Sequence, residues 1–265
     1  MSIKKQENIY FDQRVKRLVE VNKFAKQITL HDERYYQRDE FTFYPSVTHV
    51  LSYFPKAKFF ENWIKEVGFN ADIIIRRAGE EGTQVHGLIE QFLAGEELRW
   101  IDEEGKVLYN TDIWRMVTKF VEFWNTYNPK LIASEVPLVS DTLKTAGTGD
   151  IVCEIANVNW LLDIKTSNAL HRTFDLQTAV YTQAWNETHN IQIERRGIIW
   201  LKSTKRGPSK SGKQMQGDGW EVRESERTLE EDLELFKLAY RMFELENPDS
   251  RPSTEKLPTV LKLKK

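Results

Sequence analysis

Cysteine is nearly absent. A single residue, Cys153, among 265 excludes an internal disulfide and any metal or iron–sulfur cluster held by four thiolates. Long apolar runs are also missing. No stretch approaches the roughly 18 residues that a bilayer-spanning helix needs, so no membrane partner is expected. The opening Met1-Ser2-Ile3-Lys4-Lys5-Gln6-Glu7-Asn8 is charged, with no apolar segment behind it, so a secretory leader is not expected. With the lone thiol, this leads to the expectation of an intracellular, cytoplasmic protein, in which the Asn186-Glu187-Thr188 sequon is a chance match. A large net charge is lacking too: the value of −2 argues against a protein that coats DNA non-specifically. Contact with a polyanion must come from local patches, or from metal ions that bridge carboxylates to phosphates. There is no internal repeat. What the chain has in quantity is apolar side chains, 40% with eight Trp and fourteen Phe, enough for a substantial core and against extensive disorder.

Along the chain, Val15, Leu18, Val19, Val21 and Phe24 recur at loosely helical spacing, which predicts a short amphipathic helix within the first thirty residues. Residues 35–45 alternate aromatics around a polar turn and predict a hairpin. Ser46 follows Pro45 and can cap a helix through Val47, Val50, Leu51 and Phe54. Helical spacing continues over 57–67 and from about 71 to 94, with a break expected at Gly79 and Gly82. A further amphipathic helix is predicted over 112–127. Residues 131–139, 146–156 and 158–166 then read as a strand meander, followed by a helix at 173–188 and a strong strand at 197–201. A basic Gly/Ser-rich loop, 202–218, a strand near Trp220 and a long helix over 227–246 complete the pattern. The tail after Pro248 is Pro- and Lys-rich and is expected to fray. The succession predicts an α/β chain: a mixed sheet flanked by helices and preceded by a helical layer. It divides into a helix-and-hairpin extension over 1–43, a main domain over 44–247 and a basic flexible tail over 248–265. Within the main domain, a helical part spans 44–128 and a catalytic core 129–247.

Chemistry concentrates in the meander. Asp163-Ile164-Lys165 ends the apolar run Val158-Asn159-Trp160-Leu161-Leu162. Alternation in a strand puts Asp163 and Lys165 on one side while Ile164 packs into the other. A carboxylate that holds a divalent cation beside an ammonium that orients water or offsets charge suits phosphodiester cleavage; a strand-end salt bridge is the plainer use of the same residues. Asp150 follows Gly147-Thr148-Gly149, and a hairpin joining 150–155 to 158–165 sets it close to Asp163. Two carboxylates so placed repel unless a cation is shared. The glycines are read as leaving space for a phosphate or metal, or simply as a turn. His86 lies at the edge of the stripe Val85, Leu88, Ile89 and Phe92, as a packing residue or as a ligand that shifts metal preference from magnesium towards manganese. Gln177 and Tyr181, four apart, share a helix face. Residues 202–213 of the loop carry Lys202, Lys205, Arg206, Lys210 and Lys213 without an acidic residue, a composition suited to phosphate contact or to solvation. Lys262, Lys264 and Lys265 are read as solvated.

In sequence order, His86, Glu135, Gly147-x-x-Asp150, Asp163-Ile164-Lys165 and Gln177-x-x-x-Tyr181 resemble the RecB-like branch of the PD-(D/E)XK nuclease superfamily. Upstream, Pro45-Ser46-Val47-Thr48 and Gly82-Thr83-x-x-His86 resemble the mitochondrial genome maintenance exonucleases and their phage relatives. The resemblance implies a restriction-endonuclease-like fold and a phage or bacterial origin. It implies that His86, Asp150 and Asp163, with the Ile164 carbonyl, bind one or two Mg2+ or Mn2+ ions. It makes Lys165 the catalytic lysine and gives Gln177 and Tyr181 the positioning of substrate or lysine; Glu135 matches a carboxylate common in the branch. The lone cysteine excludes the iron–sulfur members. No G-x-x-x-x-G-K-[ST] loop occurs, so any helicase or recombination partner is a separate chain. The implied function is a DNA exonuclease acting at single-stranded ends. The alternatives are a structure-specific or restriction-type endonuclease, or a non-catalytic DNA-binding recombination scaffold.

Overall fold

The computed structural model describes residues 6–12, 17–18, 20–22, 27–30, 33–39, 42–203 and 219–258. In chain order the strands before the first helix are β1 (Gln6–Asp12), β2 (Arg17–Leu18), β3 (Glu20–Asn22), β4 (Gln27–Leu30), β5 (Glu33–Gln37) and β6 (Phe43–Pro45). Helices α1 (Val47–Leu51), α2 (Lys58–Val67), α3 (Ala71–Leu93) and α4 (Thr111–Tyr127) follow. The meander is β7 (Lys130–Ser140), β8 (Thr145–Ile155) and β9 (Val158–Lys165). Then come α5 (Arg172–Thr188), β10 (Arg195–Ser203), β11 (Gly219–Glu224), α6 (Leu229–Glu246) and β12 (Ser253–Pro258).

The central sheet has five strands in the order β11-β10-β9-β8-β7. Its pairs are antiparallel except for β9 with β10, which α5 joins as the crossover that a parallel pair requires. Both faces are covered. Leu138, Val152 and Leu161 pack with α1, α5 and α6 through Val50, Val180 and Phe236. Ile151, Cys153, Leu162 and Ile164 pack on the other face with Val85, Leu88 and Ile89 of α3 and with Met116 and Phe120 of α4. The chain is therefore the expected mixed α/β protein, with a mixed sheet flanked by helices.

Two local devices set the site. The β8–β9 hairpin turns through Ala156 and Asn157, both left-handed with φ of 51° and 63°, as a two-residue turn matched to strand twist requires. That turn fixes Ile155 opposite Val158 and Ile151 opposite Leu162, so the next step along brings Asp150 level with Asp163. Ser46 caps α1, its Oγ accepting from the His49 N–H at 3.1 Å, as its position after Pro45 suggests.

Three expectations are corrected. The described parts of the first thirty residues are strands, not a helix: β3 and β4 join β5 and β6 in a four-stranded sheet that includes the expected hairpin. Helix α3 runs unbroken through Gly79 and Gly82. A Cβ at Gly82 would lie 3.1 Å from Thr166 Oγ1, so this glycine lets the helix close on the end of β9 rather than ending it. The start of the tail does not fray: β12 pairs antiparallel with β1, Gln6 opposite Pro258. Residues 259–265, with the terminal lysines, lie outside the described residues.

Candidate active site

Five elements, β7, β8, β9, α3 and α5, converge on one end of the sheet. Asp150 from β8 and Asp163 from β9 are buried there, on the face that carries α5. The Asp150 Oδ2 accepts the Ile164 N–H at 2.6 Å, which ties the two strands at the point where the carboxylates meet. Ile164 turns its side chain into the opposite core, as alternation predicts. Helix α3 brings His86, whose Nδ1 lies 3.6 Å from Asp150 Oδ1 and 3.8 Å from Glu135 Oε1. Strand β7 supplies Glu135 at a backbone φ of 47°, between the pairs Ser134–Ile151 and Val136–Gly149. Glu135 is thus held opposite Asp150 in a conformation that non-glycine residues seldom adopt.

His86, Glu135 and Asp150 each offer a ligand atom, and these atoms lie within 4.8 Å of one another. One imidazole nitrogen and two carboxylates, with His86 and Glu135 half-buried and Asp150 buried, make a donor set suited to a hard or borderline divalent ion. The group could hold a metal ion. The electrostatics agree with that fit. Burial works against a charged His86, but Asp150, Glu135 and Asp163 outweigh it and push its pKa up to about 9. Burial holds both Asp150 and Asp163 above the usual carboxylate range, against the pull of His86 and Lys165. Carboxylates whose charge is disfavoured by burial are relieved by a positive partner.

Lys165 is one such partner. Its Nζ lies 2.6 Å from Asp163 Oδ2, donates to Gln177 Oε1 at 3.0 Å and sits 4.6 Å from the Phe174 ring centroid. Gln177 in turn donates through Nε2 to the Tyr181 hydroxyl at 3.2 Å. Tyr181 is buried, and burial raises its pKa, so the hydroxyl keeps its proton. The structure therefore brings together His86, Glu135, Asp150, Asp163, Ile164, Lys165, Gln177 and Tyr181. Among the loop residues, Lys202 lies near the end of β10 and is half-buried, while Lys205, Arg206, Lys210 and Lys213 fall outside the described residues.

The glycines before Asp150 have another role than the one expected. A Cβ at Gly147 would meet the Tyr181 hydroxyl at 2.5 Å, and one at Gly149 would meet Leu138 Cδ1 at 2.7 Å. They make room for protein side chains, not for a phosphate or metal. Phe174 is the site residue that the motifs missed. Its spacing of three and seven residues before Gln177 and Tyr181 places all three on one helix face and would have found it.

No family model matches the chain, and no curated protein matches it. Among solved structures the chain is similar to one described as "Putative exonuclease" from Eubacterium rectale. The identity is 13% and the TM-score 0.38, over 70% of this chain and 76% of that one. At that degree of likeness the chemistry of the site rests on its own geometry.

Proposed function

We propose that this chain is a metal-dependent deoxyribonuclease of the PD-(D/E)XK type, hydrolysing DNA from single-stranded ends. The observation that carries the reading is the convergence of His86, Glu135 and Asp150 within 4.8 Å, next to a lysine fixed by Asp163 and Gln177. With Asp163 and the Ile164 carbonyl beside them, these residues would hold one or two Mg2+ or Mn2+ ions, which supply Lewis-acid charge at the phosphate and acidify a water. Lys165 keeps its ammonium at a set place, where it orients the attacking water or offsets charge developing on the phosphate. Gln177 and Tyr181 hold that ammonium from the helix side. Glu135, the most exposed of the three carboxylates, is free to reorient towards a proton or an ion. Lys202 and the loop after it would meet the DNA backbone.

The end preference in this reading is supported by the helices that precede α4. Helix α2 buries no residue, and Ile73, Ile74 and Ile75 at the start of α3 are exposed, while Phe59 of α2 stacks on His171, which packs against Phe174 next to Lys165; this segment would form a wall past which a strand threads. A separate helicase or recombination protein would supply such a strand.

The test is digestion of end-labelled linear and circular DNA, single- and double-stranded, with Mg2+ or Mn2+. Linear single strands should be degraded, and circles spared. Lys165→Ala should lower the rate by at least about a hundredfold while DNA binding is retained. Digestion of circles would make the enzyme an endonuclease, and no hydrolysis of any substrate by the unaltered protein would overturn the reading.

A further inference from the structure

Beside the catalytic lysine, and outside every motif above, lies a cleft of about 750 Å³ between α2 and the start of α5. That volume is within the range of roughly 300–1,000 Å³ that encloses small organic groups. Its aromatic rings are Phe54, Phe59, Phe60 and His171. Phe59 stacks on His171 with centroids 5.6 Å apart and planes at 23°, and Phe60 meets the same imidazole edge-on at 6.1 Å. Its charges are Lys56, Lys58 and Arg172, and among the described residues no carboxylate lines it. In a chain with a net charge of −2, an all-cationic aromatic cleft is a local exception. It is also continuous with the site, because His171 packs edge-on against Phe174 at 5.2 Å and Phe174 carries Lys165 Nζ over its ring.

We infer that this cleft is a base-binding subsite for single-stranded nucleic acid: an unpaired base stacks on Phe59 and His171 while Lys56, Lys58 and Arg172 meet the flanking phosphates. The chemistry is that of stacking platforms in cationic grooves, which accept any base because every base has a π-face. Burial and the neighbouring Lys165 lower the His171 pKa, so the imidazole is neutral at pH 7 and stacks without repelling the ammonium. A paired base has both faces covered and cannot enter, so the cleft selects single strands over duplex. The inference rests on the nuclease reading for the polymer's identity and adds a residue set that positions it.

Binding and hydrolysis are read separately. In the Lys165→Ala background with Mg2+, fluorescence anisotropy follows a short labelled oligodeoxyadenylate, an abasic strand of equal length and a blunt duplex. Phe59 is 49% exposed, so its replacement leaves the core intact. Phe59→Ala should weaken oligodeoxyadenylate binding by about tenfold or more, leave the abasic strand and the duplex unchanged, and be reversed by Phe59→Trp. An unchanged affinity for oligodeoxyadenylate, or an equal loss on the abasic strand or the duplex, would overturn the stacking role. Failure of the unaltered protein to hydrolyse DNA would sink the nuclease reading instead, while the anisotropy comparison would still decide the cleft.

Discussion

Glu135 shows at the scale of one residue how the site is held against local preference. Its φ of 47° places it in the left-handed region, which costs a residue with a Cβ roughly 1–2 kcal/mol. Strain of this kind persists where the surroundings over-determine it, and an observed outlier at such a place points to a functional demand. Here the demand is a carboxylate 3.8 Å from His86 in a strand whose neighbour carries Asp150. Removing the Cβ should relieve the strain and remove the ligand together. Glu135→Gly is therefore expected to raise the urea midpoint, by about 1 kcal/mol of stability, while Mn2+ affinity measured by calorimetry falls at least about tenfold. Glu135→Ala keeps the backbone strain and should lose the metal without gaining stability. A Gly variant that loses stability would show that the strand conformation is not the source of strain.

Between elements, α6 is fastened by a buried ionic knot rather than by apolar contact alone. Asp232, fully buried, accepts from Arg196 at 2.7 Å, from Ser225 at 2.8 Å and from Arg227, which joins β10, the end of β11 and α6. Burial works to raise the Asp232 pKa, but its three donors more than cancel that and hold it below the usual value. A depressed carboxylate adds stability above its unfolded pKa, near 4, and loses it as pH falls through the folded value. Asp232→Ala leaves the buried Arg196 without its carboxylate and should cost about 3–5 kcal/mol in chemical denaturation. Asp232→Asn should flatten the loss of stability below about pH 4; an unchanged acid limb would show that other carboxylates carry it.

This knot also marks what was legible in the sequence. Strand β9, helix α5 and the residues Asp163, Lys165, Gln177 and Tyr181 could be read, because periods of two and 3.6 fix which side chains share a face. Arg196 and Asp232 carry no local mark of burial, since it depends on partners 36 residues apart. Strands β1 and β12 were missed for the same reason at greater range: Ile9 pairs with Glu255, and local patterning holds no record of so distant a partner. Gly147 and Gly149 carried a real signal, close approach, but the sequence could not say what approaches, and Gly82, read as a helix break, is a close approach too.

For the molecule as a whole, the central sheet joins two cores, one on each face, and Cys153 reports on both. It sits in β8 with no exposure, packed in the α3–α4 core, while Val152 next to it packs in the other. Burial alone pushes the thiol pKa up to about 12. Two consequences follow. At pH 8 the native thiol is both covered and protonated, so it should not react with an aromatic disulfide reagent unless β8 opens. If the two cores melt as one cooperative unit, the opening free energy from labelling rates will equal the global value from urea unfolding. A lower labelling value would mean that the α3–α4 layer, which carries His86, opens by itself. The second consequence concerns pH. An acid whose pKa is higher in the folded chain keeps its proton there while the unfolded chain releases it, so stability falls as pH rises. The window for Cys153 runs from its ordinary value of 9.0 to about 12. Tyr181, raised by burial in the same sense, adds to the loss above about pH 10. Cys153→Ala should therefore cost some stability at pH 7 through lost packing, yet show a shallower decline between about pH 9 and 10, before the tyrosines dominate. Parallel declines in the two proteins would place the alkaline sensitivity elsewhere than in the thiol.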